Sequence, residues 1–408
     1  MPNCESTIKH LCVWTVLVLL ASCSKVATAT EPGSPTYQTT FTATFSSSKP
    51  FAEVAIHLTQ DSAVALEFDF DAPSGSYKLL SADGNVVETD QRIRWNPPAT
   101  GGVFRYSFAI NEHAKDRQDS KHTNTWAILR LGDLFPRAKV RTLKGASNTT
   151  KVELRGPHTW SFESGYGSLK QPKMLPAGER AFNRPEGWLI AGELGTRRDI
   201  ISGIKVAVSA PTGTAYRRMD TLVFLRLVLP ELQKLIPTLP ERLLIVGAPS
   251  SMWRGGLSAP GSLYIHNERP LVSENSTSTL LHELVHISGV HSAETGSDWL
   301  VEGLAEYIGL LALQRAGGIS LERMNGTLEK LGQWVAKDGG KLTDPSKGAD
   351  TAAAVLILHQ LHQELAAQDI AFQTLLTALS KKSEYSKAAL SRSMQHLLGY
   401  PSEVLDAL

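Results

Sequence analysis

Cysteine is nearly missing from this chain: of 408 residues only Cys4, Cys12 and Cys23 carry a thiol, all within the first 23 positions. No disulfide can brace anything downstream, so stability must come from apolar cores. An excess of one charge is missing too. Lys and Arg number 41 against 40 Asp and Glu, for a net charge of +1. The basic residues fall in scattered pairs such as Arg197, Arg198 and Arg217, Arg218, a solvated-surface pattern and not a phosphate track, so nucleic acid is excluded as an expected partner. Long apolar runs are also lacking, since Leu11 to Leu20 is too short to span a membrane as a mature helix. Internal repeats are absent. What remains is an ordinary globular balance, 42% hydrophobic and 20% charged, in a length suited to two or three domains.

The short apolar run behind Lys9 and His10 has the shape of a signal peptide, residues 1–22. It ends in "LASC", Leu20 to Cys23, which resembles the lipobox of bacterial lipoproteins. That resemblance implies a lipid on Cys23, a membrane anchor through it, and a place in the cell envelope. "ATA", Ala27 to Ala29, offers a rival cleavage site and a soluble secreted product. Residues 23–36 are small, polar and proline-bearing, as expected of a tether.

From Tyr37 to Pro211 the apolar residues alternate, as in Val54, Ile56, Leu58, then Val64, Leu66, Phe68, Phe70, then Phe104, Tyr106, Phe108, Ile110. "ADGN", Ala82 to Asn85, reads as a hairpin turn. This predicts an antiparallel, sandwich-like β domain over 37–211, a scaffold without a cluster of acids, bases or ligands. Beyond it come a helix over Asp220 to Ile236, a strand over Arg242 to Ala248 and a strand over Gly255 to His266. Two helices are expected over 280–308, and an almost wholly helical region from 319 to 408. The fold class is therefore α+β.

The chemistry concentrates in "HELVHISGVHSAETGSDWLVEGLAEY", residues 282–307. His282 and His286 stand four apart, which puts both imidazoles on one helix face within reach of one ion. Leu280, Leu284 and Ile287 bury a neighbouring face, and Gly289 suits a left-handed helix end. In the second helix, capped by Ser297 or Asp298, the buried side is Trp299, Leu300, Gly303, Leu304 and Ile308, which turns Glu302 away from it. A His, His, Glu set leaves the fourth tetrahedral position open, the mark of a catalytic zinc, one Zn²⁺ per chain. His291 competes with Glu302 as third ligand. Glu306, one turn on, is placed to accept the Nδ1 proton of a ligand histidine.

"HELVH" followed by "WLVEGLAEY" resembles the zinc signature of the gluzincin metallopeptidases, notably the aminopeptidase N and glycyl aminopeptidase families. The resemblance implies a thermolysin-like zincin domain over 212–318, with His282, His286 and Glu302 as ligands, Glu283 as catalytic base, and a peptide or protein as substrate. Fifteen residues, 287–301, separate the second histidine from Glu302, fewer than is usual in aminopeptidase N relatives. "GGLSA", Gly255 to Ala259, resembles the cleft-lining edge strand of these families, which makes Gly255, Gly256, Leu257 and Ser258 substrate-binding candidates. Ser258 stands where aminopeptidases carry the glutamate that holds the substrate amine. Pro345 occupies the expected place of their transition-state tyrosine, leaving Tyr307, Tyr385, His291 and His359 as oxyanion candidates. His359 and His362 themselves read as packing or surface residues. A zinc-binding scaffold without turnover is the alternative function.

Overall fold

The computed structural model describes residues 34–110, 119–177, 182–236, 238–289, 292–382 and 384–407. The signal-peptide and lipidation positions, including Cys23, and all of the tether before Ser34 lie outside them, as does His291. Among the described residues no helix is long and apolar enough to cross a membrane.

Alternating apolar residues build the first sheets as expected. Thr36–Phe45 buries every second residue from Tyr37 on, and Phe51–Thr59 does the same through Val54, Ile56 and Leu58. A six-stranded sheet, a four-stranded sheet and a five-stranded sheet enclose one aromatic-rich core. Rings of Phe68, Trp95, Phe70 and Phe104 stack at centroid distances of 5.0–5.9 Å within it. Two expectations fail here. The pairing is not wholly antiparallel, because Thr36–Phe45 runs parallel to Ser147–Arg155. The "ADGN" turn is not a hairpin either: Tyr77–Ala82 pairs with the strand ending at Ala109, whereas Asn85–Glu88 pairs with Arg92–Asn96 in another sheet. Asp83 and Gly84 carry the chain across between sheets. Gly84 has φ +89° and a Cβ there would meet Asn96 O at 2.3 Å, while Trp95 Nε1 donates to Asp83 O.

The sheet that carries the candidate site has the order Leu194–Ile201, Ile204–Pro211, Arg242–Ala248, Ser262–His266, Gly256–Ala259. The alternation of its first two strands groups them with the β-rich region that ends at 211. Leu194–Ile201 pairs with Ile204–Pro211, which runs parallel to Arg242–Ala248 from Lys205 to Ser209, and this places both in this sheet instead. The expected single strand over Gly255 to His266 is two strands, folded back at Pro260 and Gly261, where Gly261 takes φ +62°.

Helices Arg218–Leu235, Thr279–Ile287, Asp298–Arg315, Leu321–Asp338, Ala349–Ala366, Phe372–Ser380 and Lys387–Leu398 pack on this sheet and on one another. One core runs from Ile201 through Leu405, so no break in packing falls at 318/319. A smaller cluster, with Trp188, Ile190, Val246 and Tyr264, joins the two β regions. Pro35–Leu408 forms one compact unit.

Candidate metal centre

The helix Thr279–Ile287 begins at Ser278, whose hydroxyl accepts from Leu281 N, and ends at Ser288 with Gly289 at φ +103°. Leu280, Leu281, Leu284 and Val285 are buried. That burial fixes the opposite face, which holds His282, Glu283 and His286. The helix Asp298–Arg315 crosses alongside it, with Gly309 against Leu281 and His282. Its other flank lies so close to Ala349–Ala366 that a Cβ on Gly303 would meet Ala354 Cβ at 2.6 Å. The glycine after Glu302 thus has a packing reason. The cap of this helix differs from expectation. Ser297 makes no side-chain cap bond, and the carboxylate of Asp344, far along the chain, accepts from Gly296 N and from Asp298 N.

These packings bring His282, His286 and Glu302 together, with donor atoms all within 4.8 Å of one another. His282 Nε2 lies 3.1 Å from His286 Nε2 and 3.3 Å from Glu302 Oε2, and His286 Nε2 lies 3.6 Å from Glu302 Oε1. Two donors on a tetrahedral zinc at its usual bond lengths are about 3.4 Å apart. The donor set therefore fits the ion in type and spacing. The shorter loop between His286 and Glu302 does not keep the glutamate away.

Glu306 Oε2 lies 3.0 Å from His282 Nδ1, the far side of the same ring. Burial opposes charge on the His282 imidazole, but the carboxylates of Glu302 and Glu306 outweigh it and hold its pKa up at about 10. Burial likewise pushes the Glu302 carboxyl up, and the two histidines more than reverse this. The pocket thus asks for positive charge, which a bound cation would supply in place of the proton.

Glu283 makes no part of that donor set. It faces the strand Gly256–Ala259, where a Cβ on Gly256 would lie 3.2 Å from Glu283 Oε1 and 2.5 Å from Thr279 Cγ2. Only glycine lets the strand approach Glu283 so closely. His266 N bonds Gly255 O, which sets the phase of this antiparallel pair, so in regular pairing the N–H and C=O groups of Gly256 and Ser258 face away from the sheet. The strand is last in its sheet and its outer edge is open among the described residues. Of the other substrate-binding candidates, Gly255 packs against the Trp253 ring and Leu257 O accepts from Trp188 Nε1 at 3.0 Å. Ser258 lies beside a second cavity shared with Asp119 and Arg130.

The oxyanion candidates fare less well. Tyr307 turns its hydroxyl to the helix Ala349–Ala366, where it lies 3.1 Å from His359 Nδ1 and 2.8 Å from His362 Nδ1. That occupies His359 as well and bears out packing as the role of both histidines. Tyr385 is buried and joins the loop after His291 through its backbone, to Ser292 O and from Glu294 N.

Beside His282, Glu302 and Glu306 lies a cavity of about 530 Å³, and no residue of the edge strand is among those that line it. His282, Glu302 and Glu306 form its floor, and Lys330, Trp334 and Lys347 are among its walls. Sequence reading passed over these three, because a lysine or tryptophan on an amphipathic helix or loop gives no local sign of what it faces.

Neither a protein-family model nor a curated protein sequence matches the chain. Solved structures do. An M1 zinc metallopeptidase from Deinococcus radiodurans, as a point mutant bound to a Tyr-Ser-Ala substrate, superposes with a TM-score of 0.59 at 17% identity, over 91% of this chain and 92% of that one. A two-domain M1 zinc metallopeptidase, again a point mutant and bound to L-arginine, gives 0.57 at 17% identity over the same shares. An aminopeptidase N family protein from Idiomarina loihiensis gives 0.59 at 14% identity, over 88% of this chain and 70% of that one. The likeness establishes the fold, a β-rich N-terminal region followed by a helical C-terminal part arranged as in M1 zinc metallopeptidases.

Proposed function

We propose that this chain is a zinc-dependent metallopeptidase of gluzincin type, with a thermolysin-like catalytic part in which His282, His286 and Glu302 hold one Zn²⁺. The observation that carries the reading is the convergence of those three donors beside a second glutamate, Glu283, that is not in the donor set and faces an open strand edge. When bound, zinc supplies a Lewis acid that polarises a carbonyl and lowers the pKa of water to about 7. The chain's own residues do the rest. Backbone groups of Gly256 and Ser258 pair with an extended peptide and hold its scissile bond near Glu283. Glu283 takes the proton of the attacking water and passes it to the leaving amine. Glu306 keeps the proton of His282 on Nδ1, so that Nε2 presents its lone pair to the ion.

With serine at position 258, no carboxylate on the edge strand waits for a substrate ammonium. The enzyme is accordingly an endopeptidase, or an exopeptidase with atypical end recognition. Its place is the cell envelope, held by a lipid on Cys23, with secretion after Ala29 as the alternative route.

One observation favours a second reading, a zinc-containing peptide-binding or scaffold protein: among the described residues, no tyrosine lines the cavity at the metal donors. A peptide-library digest read by mass spectrometry on the wild type and Glu283→Gln decides. The peptidase reading expects metal-dependent cleavage that falls roughly 10²- to 10⁴-fold in the variant while zinc content holds. Zinc-loaded wild type that cleaves no library member overturns it in favour of the scaffold.

A further inference from the structure

The cavity beyond the metal donors has a charge arrangement that its floor does not explain. Its apolar wall is Leu331 and Trp334 from Leu321–Asp338 with Ala352 and Val355 from Ala349–Ala366, and Thr327, Ser346 and Thr351 are polar residues beside them. Trp334 is 42% exposed, and Asp338 Oδ2 accepts its Nε1–H at 2.7 Å, which sets the ring's orientation. A volume of about 530 Å³ accommodates one or two residues of a peptide.

Two cations border this space from different elements. Lys330 stands one turn before Trp334, and Lys347 lies in the loop that leads into Ala349–Ala366. Neither is ion-paired among the described residues. The aspartates of the surrounding segments are already committed elsewhere. Asp338 holds the Trp334 indole, Asp344 caps the helix Asp298–Arg315, Asp298 accepts from Ser346 N at 2.8 Å, and Asp350 accepts from Lys341 N at 2.6 Å. On the floor, Glu302 and Glu306 together balance a divalent cation. The aspartates keep their charge but turn their oxygens to N–H groups, so the exposed Lys330 and Lys347 are the cations left at the wall of a partly apolar space, where a charge is felt more strongly than in open water.

We propose that Lys330 and Lys347 make this cavity a carboxylate-recognition site, so that the preferred peptide carries an anion one or two residues from the scissile bond, on the side that enters this cavity. The proposal rests on the peptidase reading for the direction in which a peptide lies, and names the substrate class of that site. Two sources offer the same chemistry, the free carboxy terminus of a short peptide and an Asp or Glu side chain within a longer one. A cationic residue at that position is disfavoured, and a neutral one lacks the ionic contact.

The test uses the zinc-loaded full chain with Glu283→Gln, which binds without turning over, and fluorescent peptides of one sequence read by anisotropy. One peptide has a free carboxy terminus, one is amidated, and an amidated series carries Glu at each of its last three positions. The expected result is binding at least about fivefold tighter for a carboxylate-bearing peptide than for the neutral amide, shrinking with added salt. The preference should vanish when Lys330→Met and Lys347→Met are combined. A winning free terminus identifies a short-peptide enzyme, and a winning Glu position identifies an acidic-residue specificity. Equal binding of the neutral amide overturns the proposal, as does a preference that survives in the double lysine variant. The peptidase reading fails on a different observable, the absence of cleavage by wild type, which leaves the anisotropy preference unchanged.

Discussion

Glu306 Oε2 and His282 Nδ1 lie 3.0 Å apart, with one helical turn separating Glu306 from Glu302. With a cation held at Nε2, the pair would keep the ring proton on Nδ1 and raise the basicity of Nε2. Glu306→Gln keeps the size and a hydrogen-bonding group but removes the charge. Zinc affinity should fall about 10- to 100-fold, measured by competition with a chelator of known affinity. An unchanged affinity would remove Glu306 from the metal centre.

The closeness of Gly256 to Glu283 predicts a variant that separates base placement from metal binding. In Gly256→Ala the new methyl group would sit 2.9 Å from Glu283 Cγ and 2.5 Å from Thr279 Cγ2, so one of these side chains must move or the edge strand must retreat. Either change misplaces the base against the bound peptide, and misplacement by about 1 Å costs on the order of 10²-fold in rate. Zinc content, held by other residues, should stay stoichiometric. Loss of zinc together with activity would show that the strand supports the donors and not the base.

The legibility of the site followed the range of the interactions that build it. His282, His286 and the helix end at Gly289 could be read because helical spacing is local, and Glu302 and Glu306 could be read because they are the two glutamates, one turn apart, of a helix that is otherwise buried nearly all round. Whatever depended on a distant partner was missed. The turn at Asp83 and Gly84 has hairpin residues, yet its strands find partners in different sheets. The hairpin Leu194–Pro211 alternates like the strands before it, and only its pairing with Arg242–Ala248 assigns it to the site's sheet. Tyr307 failed as an oxyanion donor because one residue beyond Glu306 is about 100° around a helix, enough to face His359 and His362 instead of the metal donors.

Asp344 illustrates a cap that no local pattern announces. Its two oxygens accept from Gly296 N and Asp298 N across 46 to 48 residues of sequence, at the helix that delivers Glu302 and Glu306. Asp344→Ala should cost about 1 kcal/mol of stability, read as a lower urea midpoint with an unchanged slope. Because Glu302 follows directly on the first turn, a modest loss of zinc affinity should accompany it. A midpoint equal to wild type would show that water caps this helix as well as the carboxylate does.

His362 gives the acid side of the stability profile. Burial, then the charges of Arg315 and His359, push its imidazole from 6.5 down to about 4. Between those two values the unfolded chain binds a proton that the folded chain refuses, so stability falls as pH drops through that window and is fully present above it. The group is only partly buried, so solvent screening reduces the effect to a fraction of what the shift alone implies. His362→Gln removes the titration while its amide can still bond the Tyr307 hydroxyl. With both proteins stripped of metal, the histidines at the metal centre contribute equally to each and cancel in the comparison. The fall in Tm from pH 6.5 to pH 4 should then be shallower in the variant by about 2 °C. Parallel curves for the two proteins would mean that the buried ring is protonated at the same pH folded and unfolded, and that its burial beside Tyr307 and Phe372 costs the charged form nothing.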